Sequence, residues 1–513
     1  MARRADGASV PSRTGGVVPG ASLRRASSAS AGSGAAAPRG AALALRQSRS
    51  AAARLPRTDE RGGAERVASM PPNRGPAPPR RRRGDDAFAA GLGGVATLAR
   101  PAARSRTALR NGASGMAHSC QERPVARPRL AVVTAVPMSL RAFWRTHLRH
   151  AQESFELFVV ASGADAALVR ELGVRATPVD VTIPRRPSPL ADLRARRRLV
   201  QFFRRERIEL VHSQTPKAGW LAMRAARRAG VPVRLHTFTG QVWATAQGPW
   251  RWLLRAIDAR TARDATTVLA DSPSQADFLA AHGVMPRDRI RVIGAGSISG
   301  VDSNRFRPDP EARRRVRAEF GVSDDQPVLL FVGRLTRDKG IPELLRAFAE
   351  LARARPSLQL WLVGPDEGAA RLLRSLEPSL RARVRTPGAT SEPERFMAAA
   401  DLLLLPSHRE GFGSTVIEAA ACGVPSVASR IYGVIDAIVD GETGLLHEVG
   451  RADEIARCAG ALVDDAARRE RLGKNARARA VAQFDPDGIS RALVRLYCAE
   501  RERAHASTPA AGA

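Results

Sequence analysis

Glu410 and Glu418 stand with seven residues between them in the stretch Leu404–Pro425, LLPSHREGFGSTVIEAAACGVP. Gly411, Phe412 and Gly413 make a glycine turn after the first acid, and Ser414 and Thr415 open a segment of helical pattern that carries the second. The apolar run Leu402 to Leu405 feeds the turn, and Gly423-Val424-Pro425 stops the helix. A strand running into a glycine loop and a helix start is an anion site, because free amide hydrogens and the helix dipole both point at the ligand. Carboxylates do not bind phosphate; they suit hydroxyls. The stretch therefore predicts a ligand that is part phosphate and part polyol. Glu418 precedes Ala419 to Cys422, which reads as buried, and an acid on that face needs a partner.

A second constellation lies upstream in Phe331-Val-Gly-Arg-Leu-Thr-Arg-Asp-Lys339-Gly-Ile-Pro. A strand runs into Gly333-Arg334, and a helix starts near Pro342, a residue favoured in the first helical turn. Arg334 offers planar, bidentate recognition of phosphate, and Lys339 is a compact point charge. Only Lys217, Lys339 and Lys474 are lysines in a chain with 82 Lys plus Arg, so a lysine here points to a need for a compact ammonium. Alone, the pair reads as two solvated loop cations; beside Glu410 it reads as a phosphate clamp. His236, in RLHTFTGQVW, follows an apolar β run, where a lone histidine is more often structural. Asp485-Pro-Asp487 has metal-ligand spacing but reads as a helix start, and no metal site is expected. Cys120, Cys422, Cys458 and Cys498 are widely separated, which fits neither zinc nor a disulfide framework.

The elements that must position these residues follow an α/β pattern. Short β-branched runs at Leu130–Val136, Phe155–Ala161, Ile208–His212, Val231–Thr237, Thr266–Ala270 and Ile290–Ile293 alternate with helical segments such as Leu140–Ala151 and Lys217–Ala229. The pattern restarts with strands at Val328–Val332, Leu358–Val363, Val384–Thr386, Leu402–Leu405 and Pro425–Ala428. Helices are expected at Pro342–Ala354, Glu392–Ala400, Ser414–Cys422 and Ala452–Asp464. Two Rossmann-like, doubly wound domains facing across a cleft are predicted, with ligands beyond the carboxyl ends of the strands. Their expected bounds are 128–302 and 303–485. A last helix is expected within 486–503, and a disordered tail over 504–513.

Residues 1–127 are rich in Arg, Ala, Pro, Gly and Ser without helical or strand period, and read as a disordered extension. Met116, just before the first convincing strand, is a candidate start. Of the net charge of +32, residues 1–120 carry +15 from 21 Arg and 6 acids. Such charge favours anionic partners and says nothing of fold. It prompts a nucleic-acid-binding alternative, which the lack of aromatic interleaving and of binding motifs opposes. No run is long and apolar enough to cross a membrane, and no secretory signal is seen, so a cytoplasmic protein is expected. Trp243, Trp250 and Trp252 with Arg251 and Arg255 suggest either core packing or peripheral contact with the inner face of a membrane.

GRLTRDKG followed by PSHREGFGSTVIEAAACGVPSVAS resembles the donor-binding half of the GT-B retaining glycosyltransferases of family 4, and the similarity spans about 129–503. The resemblance implies that Gly333, Arg334 and Lys339 bind the diphosphate of a nucleotide sugar. It further implies that Glu410 contacts the transferred sugar, Glu418 the ribose, and the amides from Phe412 to Thr415 the phosphates, with Gly411 beside them in the donor site. Val384 to Gly388 would line the base, and His236 would stand near the sugar. Val292–Asp302 resembles the interdomain crossover. The chain departs from the pattern in the glycine-free loop Thr134–Ser139 and in Tyr432-Gly433, where a double glycine is usual. The resemblance implies a metal-independent retaining enzyme without cofactor. It would transfer sugar to a glycan or polyprenyl-linked acceptor in surface-polysaccharide synthesis. A nucleotide-sugar epimerase of the same fold is the alternative.

Overall fold

The computed structural model describes residues 127–184 and 186–507. The extension expected over 1–127, with its candidate start Met116, lies outside the described residues except for Arg127, as do 508–513 of the tail. In the first sheet β1 (Arg129–Val133), β2 (Glu156–Ala161), β3 (Ala176–Asp180), β4 (Leu210–Gln214), β5 (Val233–Phe238), β6 (Thr267–Ala270) and β7 (Ile290–Val292) lie in the order β3-β2-β1-β4-β5-β6-β7. The second sheet holds β8 (Val328–Val332), β9 (Gln359–Val363), β10 (Val384–Gly388), β11 (Leu402–Leu405), β12 (Ser426–Ser429) and β13 (Gly444–His447), ordered β10-β9-β8-β11-β12-β13. All pairings between these strands are parallel. Helices cover both faces, which is why the central strands read as unbroken apolar runs.

Each sheet reverses its strand order once, between β1 and β4 in the first and between β8 and β11 in the second. Connections leave such a point in opposite directions and open a crevice at the carboxyl edge. The loops after β5 and β6 touch the loops after β11 and β12, so the two carboxyl edges face each other. A β-carbon on Gly240 would stand 3.1 Å from the Gly411 amide. Ser274 Oγ accepts from the Gly433 amide at 2.7 Å and donates to Asp436, and Phe278 stacks on Tyr432 with centroids 4.1 Å apart.

Several expectations are corrected. The helix expected over Leu140–Ala151 is two, Pro137–Phe143 and Arg145–Ala151, broken at Trp144. Strands β3 and β13 were not anticipated. The last helix runs over Pro486–Ala506, past the expected end at Arg503, so the expected tail at 504–513 begins as helix. Asp485 starts it, its carboxylate accepting the amides of Asp487 and Gly488. That helix crosses back onto the first domain. Leu493 and Tyr497 join the core formed by Leu130, Trp144, Leu148 and Leu157. The Tyr497 hydroxyl bonds His212 Nδ1 at 2.6 Å, and Ser490 Oγ bonds His147 Nδ1 at 2.9 Å. The two chain crossings lie against one another: the Val301 amide donates to the Phe484 carbonyl at 2.8 Å.

Candidate functional site

The second domain's reversal point gathers the expected cations and the first acid. Gly333 and Arg334 follow β8, and Glu410 sits in the loop after its neighbour β11. Between them Gly340 has φ +74°, and a β-carbon there would stand 2.0 Å from the Pro406 carbonyl oxygen. Only glycine permits that approach, which presses the Arg337–Lys339 turn onto the end of β11. Lys339 Nζ consequently lies 2.6 Å from Glu410 Oε1, with both side chains mostly buried. Arg334 is farther out, its side chain 48% exposed, 3.0 Å from Glu367 and 3.9 Å from Asp338.

Two residues of this cluster escaped the sequence reading. Arg409 Nη2 lies 3.1 Å from Asp338 Oδ2, and its Nε is buried without a hydrogen-bond partner. Burial pushes the Asp338 carboxyl up, but the Thr336 hydroxyl and the Arg409, Arg334 and Lys339 charges outweigh it and hold it below its ordinary value. An arginine carries little signal in so arginine-rich a chain, and Asp338 reads as one more loop acid.

The helix Ser414–Ala421 begins at Gly413, which has φ +78°, and no side chain caps it. Its first amides are donors for an anion in front of the turn. The Phe412 ring does not face that space; it is buried edge-on against Phe484 at 5.2 Å, so only its backbone is available there. Glu418 stands one turn further along, half-buried and without a hydrogen bond to its carboxylate among the described residues. Burial raises it to about 7, opposed by Arg305 and reinforced by Glu394. Of the segment expected to line the base, Val384 begins β10 at the amino end, packed against the domain core, and Gly388 closes the strand at the carboxyl edge.

His236 lies on β5 and is 1% exposed. Its Nδ1 bonds Ser213 Oγ at 2.9 Å, and its ring packs on Gly219, where a β-carbon would stand 2.2 Å from Cε1. Burial lowers it to about 3, so it is a neutral hydrogen-bonding ring and not a cation. No hydrogen bond or ion pair joins it to Glu410. The first domain meets the Glu410–Gly411 loop instead through Gly240 and Asp271, neither anticipated. Asp271 is buried, its Oδ1 has no hydrogen-bond partner, and burial raises its carboxyl well above the ordinary range. A β-carbon on Gly411 would stand 2.5 Å from Asp271 Oδ2. Among the described residues no three His, Cys, Asp or Glu side chains converge as metal ligands would.

Two families match the chain: Glycosyl transferases group 1 over residues 312–479, and Glycosyl transferase 4-like domain over 147–296. Curated relatives include the capsular polysaccharide biosynthesis glycosyltransferase CapM of Staphylococcus aureus, 29% identical over 310 residues, covering 60% of this chain and 81% of the relative. The D-inositol 3-phosphate glycosyltransferase of Thermobispora bispora is 31% identical over 328 residues, covering 59% of this chain and 73% of that protein. Among solved structures, Anabaena Alr3699/HepE in complex with UDP and glucose has a TM-score of 0.61 at 21% identity, covering 73% of this chain and 100% of the other. That last likeness is one of fold.

Proposed function

The chain belongs to the GT-B glycosyltransferases of family 4 type, and on that premise we propose that it moves a sugar from a nucleotide diphosphate to a glycan or lipid-linked hydroxyl with retention of configuration. The observation that carries the reading is the meeting of Lys339 and Glu410 at 2.6 Å, on loops from the two strands that flank the reversal point, in front of an uncapped helix start. Arg334, Lys339 and the amides of Ser414 and Thr415 take the charge that develops on the departing diphosphate, so the reaction needs no metal. Glu410 keeps its second oxygen for sugar hydroxyls, and Glu418 accepts from the ribose diol. The neutral His236 orients the sugar from the first domain's side. The bond from the anomeric carbon to the diphosphate breaks, the acceptor oxygen bonds that carbon on the same face, and its proton passes to the departing phosphate oxygen.

UDP is the first nucleotide to try, because the HepE structure holds UDP and glucose. The CapM relative directs attention to surface-polysaccharide acceptors. No helix among the described residues is long and apolar enough to cross a membrane, and a cytoplasmic enzyme reaching its acceptor at the membrane face is part of the proposal. The deciding assay is donor turnover by Lys339→Ala and Glu410→Ala proteins, with the anomeric form of the product read by NMR. Near wild-type turnover in both variants sinks the assignment; an inverted product sinks its stereochemistry alone. Conversion of the donor to its epimer without acceptor favours the epimerase.

A further inference from the structure

The first domain has a reversal point too, between β1 and β4, and the space there differs in kind from the cationic one opposite. A cavity of about 750 Å³ opens beside Ala135, which follows β1, and Thr215, which follows β4. Trp220, Leu221, Trp243, Trp250, Leu254 and Ile257 supply most of its walls, and the exposed Leu253 stands at its rim. Walls of this composition suit an apolar body, since a free sugar would leave its hydroxyls unpaired.

The cavity also has a cationic end. Lys217, one of the chain's three lysines, lines it and is held by Asp192 at 2.8 Å. Arg196 lines it and meets no acid among the described residues, and the exposed Arg194 and Arg197 on the same helix meet none either. The helix Pro216–Ala229 starts in the wall with no side-chain cap, and the Thr215 hydroxyl is buried there without a hydrogen-bond partner. An unpaired Arg196 beside Lys217, an uncapped helix start and an orphan hydroxyl next to an apolar space are complementary to an anionic headgroup on an apolar chain.

The wall leads toward the donor loops. Val242 and Trp243 follow Gly240 and Gln241, and the Gln241 amide donates to the Tyr432 hydroxyl at 3.3 Å. Trp243 is fixed by its Nε1–H donating to Asp258 Oδ2 at 2.7 Å, and it stacks on Phe278, which stacks on Tyr432 of the other domain. An occupant touching Trp243 therefore touches the same aromatic column that joins the two domains.

We propose that this cavity holds the apolar chain of an acceptor carried on an isoprenoid or alkyl phosphate, with Arg196, Lys217 and the Thr215 helix start binding the phosphate. The inference deepens the glycosyltransferase reading and rests on it for the word acceptor. Farnesyl phosphate, titrated into the full-length protein with tryptophan fluorescence as readout, is the probe. It should bind saturably, with farnesol and inorganic phosphate each weaker by at least about tenfold. Leu253→Glu should weaken farnesyl phosphate by a similar factor and Arg196→Glu should erase its advantage over farnesol; UDP binding, followed in parallel, reports that the fold survives. Equal affinities for farnesol and farnesyl phosphate would overturn the headgroup assignment. Unchanged affinity in Leu253→Glu, or binding to anionic vesicles without binding of monomeric farnesyl phosphate, would overturn the cavity itself. Failure of the donor-turnover assay with farnesyl phosphate still bound would count against the enzymatic reading and not against this site.

Discussion

Glu418 gives the proposed nucleotide site a pH signature that can be worked out in advance. Its carboxyl is raised from 4.5 to about 7, first by burial and then by Glu394, against the pull of Arg305. If the ionised form accepts from a ribose diol, nucleotide binding must draw the proton off. Apparent affinity then scales with the ionised fraction of the free protein. With the group at about 7, that fraction is roughly one tenth at pH 6, half at pH 7 and nine tenths at pH 8. UDP should therefore bind about tenfold more tightly at pH 8 than at pH 6 by calorimetry. The nucleotide's own phosphate titrates in this window, so the informative quantity is the ratio to Glu418→Gln, which cannot ionise. The folding sign is opposite: because the folded value lies above the unfolded one, the group's contribution to stability is full below about 4.5 and lost as pH rises through about 7. Ligand-free protein should thus weaken over the range where UDP binding strengthens. Parallel pH profiles for wild type and Glu418→Gln would refute the ribose role, and a slope of reversed sign would mean that the neutral acid donates.

Three further outcomes follow from the same geometry. Gly411→Ala puts a carbon 2.5 Å from Asp271 Oδ2 and must part the two domains at the Glu410–Gly411 loop; turnover should fall by about a hundredfold with little change in Tm, measured by steady-state kinetics and calorimetry. Asp258 is raised from 3.8 to about 7 by burial, against its bond from Trp243, so its stabilising contribution is present below about 4 and lost by about 7. Relative to Asp258→Asn, wild type should lose a few kcal/mol (order of magnitude) over that range in urea unfolding. Tyr497→Phe leaves buried His212 without its Nδ1 partner and should cost about 1–3 kcal/mol in the same assay, without changing UDP affinity.

The doubly wound architecture was legible because central parallel strands are buried on both faces, as Leu130–Val133 and Leu402–Leu405 are. The strands that were missed lie at sheet edges. β3 contains Pro178 and has only half-buried and exposed residues, and β13 is four residues opened by a glycine. Pairing on one side leaves little apolar signal. The meeting of Lys339 with Glu410 was legible for another reason: both follow closely on the ends of neighbouring strands, β8 and β11. The first domain's share of the site was hidden. Asp271 against Gly411, and Phe278 against Tyr432, are pairs more than a hundred residues apart, and burial patterns say that a residue is covered without saying by what.

The return of the helix Pro486–Ala506 to the first domain has a consequence for how the chain is made. A ribosome releases β7 long before that helix, with roughly 10–40 seconds between them at 5–20 residues per second. Through that interval the domain synthesised first presents the apolar floor that Leu493 and Tyr497 later cover, and His212 waits for its phenol. A nascent chain in that state is a natural client for a chaperone. A premature stop between His447 and Pro486 uncovers the domain farthest from it in synthesis, although every strand of the second sheet has already been made.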